Sequence, residues 1–241
     1  MKFTDLVFFD TETASQEWWL IQLGLMQKHE TCEWFAIIDE LFKPTRPIDL
    51  SAMAVHWIRE CKVKDKDYFK QSSLYAQVQN RLFMWVPVAH NARFDLKVMD
   101  WEWIKYNSKS ICTHKVAYHL FDIEHYWLQY LRYYFNVDDD QDYSKINPHD
   151  AISDVIILIA VFKKLWYELQ TQEFCGLDEA IDIMIEISSK PILLRKMTFG
   201  KHKGVLMPAL DRNYVKWCYE QDDFISDKED LKYSFDYYFK K

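Results

Sequence analysis

Glycine is scarce in this chain, and long apolar runs are missing from it. The 241 residues include 4 glycines, against about 7% in an average protein, which excludes collagen-like and glycine-rich chains. The longest apolar run covers residues 155–162, whereas a membrane-spanning helix needs about 20 residues. An acid, Asp5, interrupts the apolar start, which makes it a poor signal peptide. We therefore expect a cytoplasmic protein with no membrane segment.

The cysteines show no pattern typical of a disulfide framework or a zinc site. Their number, 5, is odd, and they are widely spaced with no Cys-x-x-Cys pair. This usage indicates reduced thiols in a cytosolic protein.

The charge balance is acidic, with 30 Lys and Arg against 37 Asp and Glu, a net charge of −7. This argues against non-specific coating of nucleic acid or of an anionic membrane. It does not exclude a nucleic-acid enzyme that works through bound metal, because divalent cations reverse the local sign.

Short apolar segments alternate with helical patterns along most of the chain. Strands are predicted at 6–9, 20–26, 33–42, 86–90 and 110–113, and helices at 51–60, 72–85, 91–103, 114–120, 126–135, 149–170 and 177–188. This alternation predicts an α/β fold. The early strands are joined too closely for crossovers, so we expect a mixed central sheet flanked by helices.

Two carboxylates follow the first predicted strand. Asp10 and Glu12 are two residues apart, so on a strand they point to the same face, ~6.6 Å apart along the chain. Paired carboxylates at the end of a strand suit hard cations such as Mg²⁺ or Mn²⁺. The alternative is a strand end whose acids lie in water.

Two further segments place acids at the starts of helices. Asp95 follows the strand at 86–90, and Asp154 lies five residues after His149 and directly before an apolar run. The helix macrodipole alone would explain Asp95, and residues 148–150 alone could cap their helix. Four carboxylates and a histidine gathered at one sheet edge are what a two-metal phosphodiesterase needs.

Three short motifs, in the order in which they occur along the chain, match those of a known superfamily. Asp-Thr-Glu-Thr at 10–13, His-Asn-x-x-Phe-Asp at 90–95 and His-x4-Asp at 149–154 resemble the motifs of the DEDDh 3′–5′ exonuclease superfamily. Residues 47–56, 111–117, 197–204 and 213–217 resemble segments of the exodeoxyribonuclease X family within it. The resemblance implies an RNase H-like exonuclease domain at 1–170, a connecting helix or linker at 171–189 and a small C-terminal module at 190–241.

The resemblance also implies roles for the matching residues. Asp10, Glu12, Asp95 and Asp154 would hold two divalent cations, Mg²⁺ or Mn²⁺, and His149 would act as the general base. The substrate would be a DNA 3′ end, single-stranded or frayed, from which nucleoside 5′-monophosphates are released. The residues expected to contact it are Thr11, Thr13, Val55, His56, Asn91 and Phe94.

Two more regions are candidates for nucleic-acid contact. Trp18 lies in a loop where the family commonly has Gly and Leu, and it would either stack on a base or join the core. Residues 190–217 hold seven Lys and Arg against one acid, and Lys201 and Lys203 lie between Gly200 and Gly204. This segment forms either a phosphate-facing turn or an ordinary hairpin.

Several functions remain open on the sequence alone. The first is a metal-dependent 3′–5′ exodeoxyribonuclease. An exoribonuclease of the same superfamily has the same motifs, since the choice of sugar rests on a few contacts at the 2′ position. A polymerase proofreading exonuclease and a nucleic-acid-binding protein on an inactive nuclease fold are further alternatives, and the oligomeric state is undetermined.

Overall fold

The computed structural model describes residues 1–15, 19–28, 35–140, 146–221, 225 and 228–240, with the backbone alone at 35–37 and 139–140. Within these residues one mixed sheet has the strand order β3-β2-β1-β4-β5. Its strands are β1 (Leu6–Thr13), β2 (Leu20–Gln27), β3 (Phe35–Leu41), β4 (Val86–Ala89) and β5 (Ile111–Cys112). The β1–β2 and β2–β3 pairs are antiparallel, and the β1–β4 and β4–β5 pairs are parallel. The predicted α/β fold with a mixed sheet is confirmed.

α-Helices follow β3, separate the later strands and continue after β5. In the first part of the chain they are α1 (Leu50–His56), α2 (Glu60–Val63), α3 (Tyr75–Met84), α4 (Arg93–Trp101), α5 (Thr113–Leu120) and α6 (Leu128–Tyr134). After them come α7 (Val137–Asp140), α8 (Ala151–Glu173), α9 (Leu177–Ser189), α10 (Arg212–Glu220) and α11 (Glu229–Phe239). No helix among the described residues combines the length and the apolarity that crossing a bilayer requires.

The central strand β1 sorts the core into two layers. Leu6 and Phe8 belong to an apolar cluster with residues of α5, α6, α8 and α9. Val7 and Phe9 belong to a second cluster, with residues of α3 and α4. Successive side chains of a strand point to opposite faces, so helices cover both faces of the sheet. This is why β1 is apolar at four consecutive positions.

The first helix, α1, is shorter than its sequence pattern indicates. We expected one helix over 51–60, but α1 ends at His56 because Trp57 adopts a left-handed conformation with φ 57°. The amide of Trp57 donates to the carbonyl of Met53 and closes the last turn. A second short helix, α2, follows at Glu60.

The chain divides into two compact units, Met1–Ser189 and Lys190–Lys241. Residues 171–189 were expected as a connecting helix or linker. In the structure α8 continues to Glu173, and Leu177–Ser189 form α9, whose Ala180, Ile181 and Met184 are buried in the core shared with α8. Their spacing puts one apolar face on that helix. The second unit has its own buried side chains, among them Met197, Met207, Leu210, Val215, Leu231 and Phe235.

Candidate active site

The carboxylates of Asp10 and Glu12 share one face of the sheet. They continue the alternation of Leu6 and Phe8, whose side chains pack against α8. In the β1–β2 ladder, Asp10 is paired with Gly24 and Glu12 with Gln22. Both acids therefore point to the side on which α8 begins, as the strand pattern predicts.

Asp95 reaches the same strand from the opposite layer. It lies in the first turn of α4 and is 2% exposed. Its Oδ1 accepts hydrogen bonds from the backbone N of Thr11 (3.0 Å) and from Thr11 Oγ1 (2.8 Å). Thr11 thus holds Asp95 in place. Thr11 was predicted to contact substrate, but with its side chain engaged and 4% exposed it offers a substrate little surface.

The third segment lies at the start of α8. The predicted helix start at His149 is two residues early, because His149 has a φ of 62° and Asp150 caps the helix by accepting from the backbone N of Ser153. Asp154 is buried and accepts from the backbone N of His149 (3.0 Å). One ligand atom each of Glu12, His149 and Asp154 lie within 4.8 Å of one another.

These carboxyl groups hold their protons more tightly than usual. Burial and the charges of Asp154 and Asp95 raise the pKa of Glu12 to about 9. Burial raises the pKa of Asp95 to about 7, although its hydrogen bonds oppose that rise. The pKa of Asp10 is raised well above its usual range by burial and then by the charges of Asp95 and Glu12. Burial also raises the pKa of Asp154.

Such shifts mean that the negative charge of the site lacks a compensating cation among the described residues. Desolvation and like charges both disfavour the ionised carboxylates. A divalent cation would reverse this, since carboxylate oxygens are the ligands that hard cations prefer. The arrangement is therefore suited to hold metal, and Glu12, His149 and Asp154 together form one possible metal-binding group.

Comparison with known proteins identifies the family. Residues 7–162 match the profile of the family RNase_T, described as exonuclease. The chain belongs to this exonuclease family. It is therefore a hydrolytic nuclease, and the resemblance to the DEDDh exonucleases is confirmed.

Relatives of this exonuclease include the Exodeoxyribonuclease 10 of Escherichia coli (strain K12), which is 27% identical over 229 residues, or 92% of this chain and 93% of that protein. A solved structure of exonuclease X in complex with 5′ overhanging duplex DNA has a TM-score of 0.54 at 23% identity, covering 76% of this chain and 99% of that one. A second, of a 3′-exonuclease in 3′-end specific recognition of a histone mRNA stem-loop, has a TM-score of 0.52 at 14% identity, covering 73% and 85%. These likenesses confirm the RNase H-like exonuclease fold.

Two residues of β2 that the sequence analysis missed fix the start of α8 in this exonuclease. Gln22 donates to Asp150 Oδ1 (2.7 Å) and accepts from the backbone N of Ala151 (3.2 Å). Gly24 leaves room for the helix, because a Cβ there would lie 2.5 Å from the carbonyl carbon of Ala151. A polar residue and a glycine within an apolar strand, in a chain with few glycines, were the available signal.

The sequence analysis also missed Gln129, a residue of α6 that holds Asp154. Gln129 Nε2 donates to Asp154 Oδ1 (2.7 Å). The Oε1 of Gln129 accepts from Arg132 (3.3 Å), and Arg132 is paired with Asp138 at 2.7 Å. Spacing in the sequence gave no indication that α6 would reach the site.

Among the remaining predicted residues of the first unit, His56 interacts with the backbone of Thr13 and with His149. His56 is buried, and its Nδ1 accepts from the backbone N of Ile58 (3.0 Å). Burial lowers the pKa of His56, with the backbone of Thr13 opposing and the charge of His149 adding to that shift. The structure thus brings His56 close to both of these residues.

Thr13 itself is 6% exposed, and its hydroxyl donates to the carbonyl of Ser15. Val55 and Asn91 are exposed, and Asn91 has a φ of 58°. Phe94 is half-buried against the core between the sheet and α3 and α4.

Three further residues were predicted to contact nucleic acid. Trp18 lies outside the described residues. Lys201 and Lys203 belong to the second unit, where both are exposed.

Proposed function

We propose that this exonuclease is a metal-dependent 3′–5′ exodeoxyribonuclease that releases nucleoside 5′-monophosphates. The observation that carries the proposal is the convergence of four carboxyl groups and His149 at the carboxyl end of β1. Asp10, Glu12 and Asp154 interact electrostatically, as do Asp10 and Asp95. A like-charged cluster of this kind is costly unless cations bind to it.

The acidic side chains would hold two divalent cations, Mg²⁺ or Mn²⁺. Ligand atoms of Glu12 and Asp154 lie within 4.8 Å of one of His149, and the charges of Asp95, Glu12 and Asp154 all act on Asp10. When bound, the cations stabilise the attacking and the leaving oxygens of an in-line displacement at phosphorus.

His149 is proposed as the general base. It is exposed, whereas its backbone is fixed by the hydrogen bond to Asp154. A water attacks the phosphorus of the last phosphodiester and gives a proton to the imidazole. The bond from phosphorus to the 3′ oxygen of the preceding nucleotide breaks, and that oxygen takes a proton from solvent.

The substrate side of the proposal rests on Val55, His56, Asn91, Phe94 and Thr13. Val55 and Phe94 offer apolar surface next to a polar centre, which suits a nucleotide held without base preference. DNA is favoured over RNA by the relative named Exodeoxyribonuclease 10, which matches this chain over 92% of its length. The proposed substrates are DNA 3′ ends that are single-stranded or frayed.

A gel assay on 5′-labelled oligonucleotides tests the proposal. DNA and RNA of one sequence are incubated with Mg²⁺, with Mn²⁺ or with EDTA, using the full chain, its Asp10→Ala variant and Asp100→Ala as a control. Asp100 is an exposed acid in the last turns of α4. We expect metal-dependent shortening of DNA from its 3′ end by the native protein and Asp100→Ala, and none by Asp10→Ala.

Two results would contradict it. Faster shortening of RNA than of DNA would identify an exoribonuclease. Retardation of the strand without any cleavage would mean that the nuclease fold only binds nucleic acid.

A further inference from the structure

The second unit contains a cavity lined by its own residues. Its volume is about 610 Å³, which falls within the range of ~300–1,000 Å³ typical of small-ligand sites. The residues that line it all lie in the second unit: Phe199, Gly200, Lys201, His202, Asp211, Asn213, Tyr214 and Trp217.

Aromatic rings form one wall of the cavity. The ring centroids of His202 and Tyr214 are 4.1 Å apart. Those of Tyr214 and Trp217 are 6.0 Å apart, and the two planes differ by only 22°. Trp217 is 48% exposed. These rings offer stacking surface of the kind on which nucleic-acid bases bind.

Positive charge lies beside these rings. The Nζ of Lys201 is 5.6 Å from the centroid of Tyr214, and that of Lys228 is 5.9 Å from Phe199. Asp211 is the one acid in the lining, and its carboxylate accepts from the backbone N of Asn213 (2.6 Å) to cap α10. Its charge is therefore partly offset by the start of that helix.

A tight turn fixes the lysine. Gly200 and Gly204 have φ values of +68° and +85°, and a Cβ at either would meet nothing within 4 Å. These glycines are needed for their backbone conformation. The amide of Gly204 donates to the carbonyl of Met197 (2.8 Å), which holds the turn closed. The backbone of Lys201 is therefore held within a closed turn.

One polar atom of the wall lacks a partner. The Nε2 of His202 is buried and makes no hydrogen bond within the described part of the chain. Buried polar atoms in folded proteins are nearly always paired. An unpaired one in the wall of a cavity indicates that its partner lies outside the described residues, as a ligand in the cavity would.

We propose that this cavity binds one nucleotide of a single-stranded DNA substrate, with the base on Tyr214 and Trp217 and a phosphate beside Lys201. The inference rests on the proposed function for its choice of ligand. An acidic peptide would satisfy the lysines but would leave the parallel ring faces without a planar partner. Residues 190–217 also carry seven Lys and Arg against one acid in a chain of net charge −7, as electrostatic attraction of a strand requires.

Binding, rather than cleavage, tests the inference. Fluorescence anisotropy of a 5′-labelled single-stranded oligodeoxynucleotide is measured in EDTA with the full chain and its Trp217→Ala and Lys201→Ala variants. Tyr237→Ala and Lys232→Ala, at exposed positions of α11 in the same unit, are the matched controls. Thermal unfolding shows that each variant is folded.

We expect Trp217→Ala to weaken binding at least about fivefold, as the loss of one stacked base does. Lys201→Ala should weaken binding and lower the slope of log K against log salt by about one. Both controls should stay within about twofold of the native protein, since neither side chain lines the cavity.

Unchanged binding by folded Trp217→Ala and Lys201→Ala would overturn the inference. So would a Trp217 effect seen with deoxythymidine monophosphate but not with the oligonucleotide, since the ligand would then be a free nucleotide. The gel assay described above is independent of this one. If the native protein binds DNA through Trp217 without cleaving it, the inference holds while the proposed function fails.

Discussion

Asp10 and Gly24 face each other across the β1–β2 ladder. Paired residues of an antiparallel sheet carry their side chains on the same face. Because Gly24 has no side chain, the space beside the carboxylate of Asp10 is left open by β2. The backbone of Ala151, at the start of α8, occupies that space. The helix that carries Asp154 can approach Asp10 because position 24 has no Cβ.

The first prediction concerns this contact. Gly24→Ala would place a Cβ 2.5 Å from the carbonyl carbon of Ala151, a distance that forces backbone to move. We expect a loss of about 1–3 kcal/mol of unfolding free energy and a fall of ~100-fold in the rate of DNA hydrolysis, because the start of α8 carries His149 and Asp154.

Gly176→Ala is the matched control, since a Cβ there meets nothing within 4 Å. Thermal unfolding and initial rates are measured for both variants. Native stability and native rate in Gly24→Ala would contradict the steric argument.

The second prediction is that the metal-free protein loses stability as pH rises. The folded pKa of Glu12, about 9, lies above its ordinary value of 4.5, and that of Asp95, about 7, lies above 3.8. The folded state therefore binds protons more tightly than the unfolded chain, so this stability is complete below the ordinary values and is lost as pH rises through the folded ones.

The melting temperature in EDTA, followed from about pH 5 to about pH 9, measures this loss. We expect a fall of more than about 4 °C, since ~1 kcal/mol corresponds to ~2–4 °C in a chain of this size. Glu12→Gln should flatten the dependence, and Mg²⁺ should restore stability mainly at high pH. A melting temperature that rises over this interval would contradict the prediction.

The third prediction separates a general base from a metal ligand. An atom of His149 lies within 4.8 Å of ligand atoms of Glu12 and Asp154, so geometry alone allows either role. With His149 as the base, His149→Ala should lower the rate by about 10²–10⁴-fold and leave Mn²⁺ affinity, measured by calorimetry, close to native.

His119→Ala, at an exposed position of α5, is the control and should keep both rate and affinity. A loss of Mn²⁺ affinity in His149→Ala as large as that in Asp10→Ala would instead assign the imidazole to the metal.

The sequence indicates where the four acids lie on the strands and helices, but not which residues hold their side chains. Asp10, Glu12, Asp95 and Asp154 are placed by strand ends and helix starts, which hydrophobic periodicity reveals. The role of Thr11 depends on the opposite face of β1 meeting α4, which is a property of the assembled layers. No local pattern contains that information.

The same limit applies to β2 and to the first helix. Gln22 and Gly24 contact the start of α8 only because β1 and β2 pair in this register and α8 crosses the sheet at this position. Trp57 ends α1 by a left-handed conformation that a tryptophan rarely adopts, so composition predicts a continuous helix there. A tertiary contact decides the first case, and the backbone conformation of one residue decides the second.

The last prediction concerns Gln129, which we expect to position Asp154 without touching substrate. Its amide orientation is set by Arg132, which donates to Oε1 and so leaves Nε2 to donate to Asp154. Gln129→Ala removes that donor, so Oδ1 of Asp154 loses its support while Oδ2 keeps the hydrogen bond from the backbone N of His149. Loss of such a supporting hydrogen bond costs about 10–100-fold in metal affinity. The metal concentration for half-maximal hydrolysis should rise by that factor, and the rate at saturating metal should stay near native.

Gln79→Ala, which removes an exposed amide bonded to the carbonyl of Lys105, is the control. A native metal dependence in Gln129→Ala would refute the positioning role, whereas a lower melting temperature alone would not produce the shift, because a purely structural defect lowers the amount of active enzyme at every metal concentration.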